Sequence, residues 1–180
     1  MRMSRGVWMV TGGLWVVAAC QPQPAPTAYR PTSTVKEIMQ SMVDPSSKIL
    51  WDSVATDIGA AGARDKAPQN DEEWAVVRHQ AVVLMEATNL LVMPGRHIAP
   101  PGAKSDKPEV ELAPEQIEEI VNQDLATWVK LAHGLHDTAA VALKAIDAKD
   151  AEALSNAGGD IDMACESCHL KYWYPEKKPG

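Results

Sequence analysis

Asp150 to Pro175 reads D-A-E-A-L-S-N-A-G-G-D-I-D-M-A-C-E-S-C-H-L-K-Y-W-Y-P, and the architecture of the chain is settled by how this stretch folds. The Asp150 carboxylate suits the cap position, where it accepts from the free amides of a first helical turn. Leu154, Ala157, Ile161, Cys165, Cys168 and Tyr172 then recur at steps of three and four residues, the period of one helix face. Pro175 closes the run, because proline neither donates an amide nor fits a helix interior. Gly158 and Gly159 each weaken the helix by about 1 kcal/mol relative to Ala, so they mark either a bend or a close approach of another group to the backbone.

Within this helix Cys165, Glu166, Ser167, Cys168 and His169 spell C-x-x-C-H, the attachment pattern of c-type haem. Two thiols three residues apart lie on one side of a turn, within reach of the two vinyl groups of one porphyrin. His169 can then present a ring nitrogen to the iron as proximal ligand. A flat macrocycle lying near the backbone would give the two glycines a purpose. Three other readings compete. A structural zinc site needs four ligands, and the chain has no second C-x-x-C and no spaced histidine pair nearby. A dithiol redox centre sits at the start of a helix after a strand, whereas this motif follows a helical pattern close to the C-terminus. A structural disulfide is the third.

Working towards the N-terminus, Pro114 opens the longest apolar pattern, with Ile117, Val121, Leu125, Trp128, Leu131, Leu135, Ala139, Leu143 and Ile146 on one stripe. One helix of about 50 Å is expected. Met93 to Ala113 contains prolines 94, 100, 101 and 108 with two glycines, an irregular connection crossing the bundle surface. Asp71 to Val92 carries Trp74, Val77, Ala81, Leu84, Met85 and Leu91 at helical spacing. Thr34 to Val43 places Val35, Ile38, Met39 and Met42 on one stripe, and Asp44 with Pro45 reads as a new cap followed by proline at the first helical position. Leu50, Trp51, Val54 and Ile58 continue the spacing until Gly59 and Gly62, as one kinked rod or two short helices. Ala, Leu, Val, Ile and Met dominate, with no Phe and three Tyr, a balance that favours helices over strands. The expected class is all-α, an antiparallel four-helix bundle.

The first nineteen residues are expected to stay outside that fold. Arg2 and Arg5 precede an apolar stretch from Gly6 to Ala19, too short for a confident span and typical of a cleaved export signal. Val17, Ala18, Ala19 and Cys20 resemble a bacterial lipobox, in which the cysteine takes a diacylglycerol and becomes the mature N-terminus. Lipid on Cys20 would also account for the one thiol left over in an oxidising compartment; ordinary signal cleavage is the alternative, giving a soluble periplasmic protein. Gln21 to Pro26 alternates with proline and cannot build a ladder or a helix, so residues 20–33 form a semi-stiff tether to the membrane. The remainder, 34–180, is one domain in length.

The full sequence has 17 basic and 24 acidic residues, net −7; without Arg2 and Arg5 it has 15 and 24, net −9. No clustered Lys and Arg suggests nucleic acid. Acidity of this size either steers a basic partner or serves solubility. No nucleophile with a positioned base, catalytic carboxylate pair or phosphate-cradling loop is recognisable, so no enzymatic turnover is expected.

On these residues the chain resembles the class II c-type cytochromes, the cytochrome c′ family of four-helix bundles. The resemblance covers Thr34 to Pro175. It rests on C-x-x-C-H near the C-terminus, on Tyr172 three residues after the histidine, and on a methionine-bearing first helix. It implies one covalent haem c on Cys165 and Cys168, His169 as proximal ligand, and a first-helix residue facing the other side of the iron. Met39 lies where the resemblance places that residue, and Met42 is the runner-up. Methionine ligation would make a low-spin one-electron carrier serving redox partner proteins; an apolar non-ligand would leave an open iron that takes nitric oxide or carbon monoxide. A haem-bearing accessory subunit of a larger redox complex is a third role, and pairing into a homodimer is possible for such bundles. One departure from the gas-binding pattern is that Trp173, not a basic residue, follows the tyrosine. His79, His97, His133 and His136 are expected to be structural or solvated. Trp74 and Trp128 are assigned to the core, while Trp51 is suspected of touching the macrocycle.

Overall fold

The computed structural model describes residues 29–59 and 62–175. The expected signal segment (1–19), the expected lipidation site Cys20 and most of the expected 20–33 tether lie outside them. Among the described residues no helix is long and apolar enough to cross a membrane.

Thr34 starts the first helix. Its hydroxyl accepts from the Glu37 amide at 3.3 Å while the Glu37 carboxylate accepts from the Thr34 amide at 2.7 Å, a reciprocal cap that satisfies two otherwise free donors. From there α1 (Val35–Ile38), a π-helical turn (Met39–Val43) and α2 (Asp44–Ser53) form one continuous rod. Asp44 is therefore not a new cap. It is fully helical, and its amide bonds the Met39 carbonyl five residues back. Pro45 supplies the reason: in a regular turn its ring would strike the carbonyl four residues earlier, and inserting one residue into the turn relieves the clash.

The rod stops at Ser53, short of the expected Ile58. The Ser53 hydroxyl donates to the Leu50 carbonyl at 2.7 Å, and Val54 leaves helical geometry at φ −131°. Beyond it β1 (Thr56–Gly59) pairs antiparallel with β2 (Gly62–Asp65), Thr56 opposite Asp65 and Gly59 opposite Gly62. Ile58 had been placed on the helical stripe; β-branched Thr56 and Ile58 instead favour the extended chain.

Asn70 caps α3 (Asp71–Leu91), accepting from the Glu73 amide at 2.9 Å. The connection that follows is irregular, as expected, and it is tied down at both ends. The Val35 and Lys36 amides donate to the carbonyls of His97 and Ile98, each at 2.9 Å, and Ile98 is buried. Arg96 donates to the Leu90 carbonyl at 2.6 Å and also to the Ser33 carbonyl.

The single long helix expected from Pro114 is two: α4 (Pro114–Gln123) and α5 (Leu125–Asp147). Asp124 breaks them at φ −138°, ψ 62° and caps the second, its carboxylate accepting from the Thr127 amide at 3.1 Å and pairing with Lys171 at 3.2 Å. The break turns Leu125 outward, so a residue expected on the inner stripe is exposed. Asp150 caps α6 (Ala151–Tyr172) as expected, accepting from the Ala153 amide at 2.9 Å.

Neighbouring helices alternate in direction. The Trp128 indole at the start of α5 donates to the Leu91 carbonyl at the end of α3, while Arg78 near the start of α3 pairs with Asp147 at the end of α5. Ser46 meets Gln80 and Arg96 meets Ser33, which sets the first rod antiparallel to α3. Trp128 packs edge-on against Tyr172, 5.2 Å between centroids, which does the same for α5 and α6. The fold is thus an all-α antiparallel bundle with a small hairpin at one end. Its core of Ile38, Leu50, Leu84, Leu135, Ala139, Leu154 and Ile161 is continuous between the four rods, and Trp74 and Trp128 lie in it as expected.

Candidate functional site

Alternation in the bundle sets the first rod antiparallel to α6, and a contact between them fixes the register. The Trp51 indole donates to the Gly158 carbonyl at 2.9 Å. Counting back from Trp51 to Met39 and forward from Gly158 to His169 gives twelve and eleven residues, about 18 and 16 Å at 1.5 Å per residue. Met39 therefore stands at the level of His169. Between these helices lies a cavity of about 550 Å³, within the ~300–1,000 Å³ usual for ligand sites. One wall carries Cys165, Cys168, His169 and Tyr172; the other carries Val35, Met39, Val43, Ser47 and Trp51.

Met39 lines the cavity and Met42 does not; Met42 packs against the core. The π-helical turn separates them, because widening the turn changes which side chains share a face. Trp51 lines the cavity too, yet its nearest partner is Gly158. A methyl group there would sit 3.1 Å from the Trp51 ring. The close approach that Gly158 permits is thus by an indole, and α6 runs unbroken through both glycines. Gly159 faces open space.

Burial pushes the Cys165 thiol up to about 11, reinforced by the Asp162 charge, and the Cys168 thiol up to about 12. Both are free and half-buried. A redox dithiol requires a thiolate favoured by a helix start or a nearby cation, and these thiols have the opposite surroundings. Among the described residues no group of three or more His, Cys, Asp and Glu comes together as a metal cluster. Burial holds His169 below its ordinary value against the opposing pull of Glu166, so its imidazole is neutral and carries a free lone pair.

Two hydroxyls on the cavity wall, Ser47 Oγ and Tyr172 Oη, are buried without a hydrogen-bond partner. Each such group costs about 1–3 kcal/mol. A large apolar cavity with two waiting donors, two thiols and a neutral imidazole matches the chemistry of a porphyrin with polar edge groups, so the residues fit haem c.

The other histidines stand apart. His79 and His133 are exposed, His97 pairs with Glu118 at 2.8 Å, and His136 lies 3.4 Å from Asp137. None lines the cavity. The connection between α3 and α4 contributes more than expected: Ile98, Lys104, Ser105, Asp106, Glu111 and Leu112 all line the cavity. Sequence reasoning ran this segment over the bundle surface, with a fold over the haem at His97 as the alternative, and the segment has no apolar periodicity to single out these lining residues.

No family model matches the chain, and no curated protein matches it. Among solved structures, a ferrous single-residue variant of cytochrome c prime from Alcaligenes xylosoxidans is 18% identical over 78% of this chain and 93% of that chain, with a TM-score of 0.47. The nitric oxide complex of a second variant of that cytochrome is 17% identical over 81% and 99%, also with a TM-score of 0.47. The chemistry of the site is read from this chain's own residues.

Proposed function

We propose that the chain is a c-type haem protein that transfers single electrons, with His169 and Met39 as the two residues that would hold the iron. The observation that carries the reading is the placement of Met39 across one cavity from Cys165, Cys168 and His169. When bound, haem c supplies an iron that alternates between ferric and ferrous states. Cys165 and Cys168 would hold the group as thioethers, since adding a thiol S–H across a vinyl group balances without an oxidant. His169 offers the lone pair of a neutral ring. The Met39 thioether, a soft donor that favours the reduced metal, would raise the potential relative to a second imidazole. Val35, Val43, Leu131 and Leu135 give the cavity apolar walls, and ligands on packed helices would limit reorganisation as charge moves.

The rival reading is a five-coordinate site that binds nitric oxide or carbon monoxide. It draws on Met39 being packed against the apolar core, as a space-filling side chain would be. Absorption spectra of the holoprotein in both oxidation states, with and without carbon monoxide, separate the two. Methionine ligation gives low-spin spectra and slow carbon monoxide uptake; Met39→Ala turns the protein high-spin and carbon monoxide-reactive, while Met42→Ala does neither. A parent protein that is high-spin and takes up carbon monoxide at once overturns the electron-transfer reading.

The N-terminal features complete the proposal. Export by residues 1–19 and lipid on Cys20 would hold the bundle on the periplasmic face of a bacterial membrane, exchanging electrons with partner proteins and available for pairing into a homodimer. Incorporation of labelled fatty acid that is abolished by Cys20→Ser tests the anchor.

A further inference from the structure

We infer that Trp173 and Tyr174, held by the connection between α3 and α4, are positioning residues that fix the plane of the His169 ring. The inference rests on the reading of His169 as an iron ligand and concerns a part of the chain that reading does not use.

Where α6 ends, the chain folds back over the imidazole. The Trp173 and Tyr174 amides both donate to the His169 carbonyl, at 2.8 and 3.0 Å. Their rings then flank that of His169. Trp173 meets it edge-on, 5.0 Å between centroids and 84° between planes; Tyr174 lies at 5.8 Å and 56°. The two rings also touch each other, 5.3 Å apart. Imidazole has one free rotation about its bond to Cβ, and rings on adjoining sides restrict it.

Each flanking ring is anchored. The Tyr174 hydroxyl donates to Glu166 at 2.6 Å, one turn before His169. The Trp173 carbonyl accepts from the Leu112 amide at 2.8 Å, next to Glu111, whose carboxyl is held below its ordinary value by the Ser105 hydroxyl first and, among lesser causes, by the nearby Trp173 indole. Glu111 is itself held by the Ser105 hydroxyl at 2.5 Å and the Lys107 amide at 3.0 Å. A chain of contacts thus runs from the connection, braced at Glu111, through Leu112 and Trp173 to the imidazole. Packing into the core does not account for Trp173, which is 40% exposed; its neighbour Tyr172 fills that role at 2%.

The ferric electron paramagnetic resonance spectrum of the holoprotein reads out the ring plane, because the g values respond to imidazole orientation in either spin state. The parent should show one species. Trp173→Leu and Glu111→Ala should each show additional species or broadened g values at full haem content, and Lys107→Ala, on the same connection, should match the parent. Trp173→Leu or Glu111→Ala with full haem and a parental spectrum overturns the inference. Should Trp173→Leu fail to fold, Glu111→Ala decides alone, since it leaves both rings in place. A parent that carries no haem overturns the underlying reading first and the positioning role with it.

Discussion

Gly158→Ala and Gly159→Ala are neighbouring changes in one helix with opposite expected signs. In a helix interior each substitution gains up to about 1 kcal/mol by reducing the freedom of the unfolded chain. At Gly159 nothing lies within 4 Å of the added methyl, so the gain stands alone. At Gly158 the methyl meets the Trp51 ring at 3.1 Å, and the indole must shift. The shift weakens the 2.9 Å bond from the Trp51 indole to the Gly158 carbonyl, a loss of about 0.5–1.5 kcal/mol, and overpacking adds about 1–3 kcal/mol. The net effect at Gly158 is a loss of about 0.5–3.5 kcal/mol, against a gain of up to about 1 at Gly159. At ~2–4 °C per kcal/mol for a domain of this size, the two melting temperatures should straddle that of the parent. Circular dichroism melts of the three proteins measure this directly. A Gly158→Ala protein as stable as Gly159→Ala would refute the packing of Trp51 against α6 and, with it, the register that brings Met39 level with His169.

Asp150→Ala should remove the cap of α6 and cost about 1 kcal/mol, read as a lower urea midpoint at unchanged slope. Tyr172→Phe should stabilise the haem-free protein by about 1 kcal/mol, because it deletes a buried hydroxyl without a partner, and should give no such gain in the holoprotein; equal effects in both forms would show that the hydroxyl meets nothing in the cavity. Acid should destabilise the bundle in a defined direction. Glu118 is held below the ordinary glutamate value first by its bond from His97, and Asp124 below the ordinary aspartate value first by its bond with Thr127. Depressed carboxylates stabilise the fold above their unfolded values and lose that contribution as pH falls through the folded ones, so urea midpoints should be flat near neutrality and drop below about pH 4.5. A midpoint that rises on acidification would contradict these pairings.

Much of the fold was legible because it rests on local rules. Thr34, Asp150 and Pro114 begin helices where cap chemistry says they should, and the apolar stripe of α3 ends within one residue of the expected Val92. The misreadings arose where one residue had two plausible local roles. Asp44 followed by Pro45 has the composition of a helix start, yet the preceding turn absorbed the proline by widening. Asp124 sat within a pattern that continued on both sides, and only its carboxylate on Thr127 and Lys171 reveals it as a cap. Ile58 kept helical spacing by coincidence. For the candidate site, Cys165, Cys168 and His169 announced themselves through spacing on one helix, whereas Met39, with Met42 as runner-up, came only from the resemblance. Ser47 and Glu111 depend on contacts between segments far apart in sequence, for which a pattern along the chain has no mark; Trp173 and Tyr174 follow the motif directly, but that they flank the His169 ring depends on the backbone turn that ends α6.

Mass spectrometry of the chain, produced alongside a c-type haem maturation system and then denatured, bears most directly on the site. One haem should remain on the polypeptide after denaturation and disappear when both Cys165 and Cys168 are replaced by serine. A chain recovered at its bare mass, or one whose pigment is extracted by acidified solvent, would contradict covalent attachment at this site.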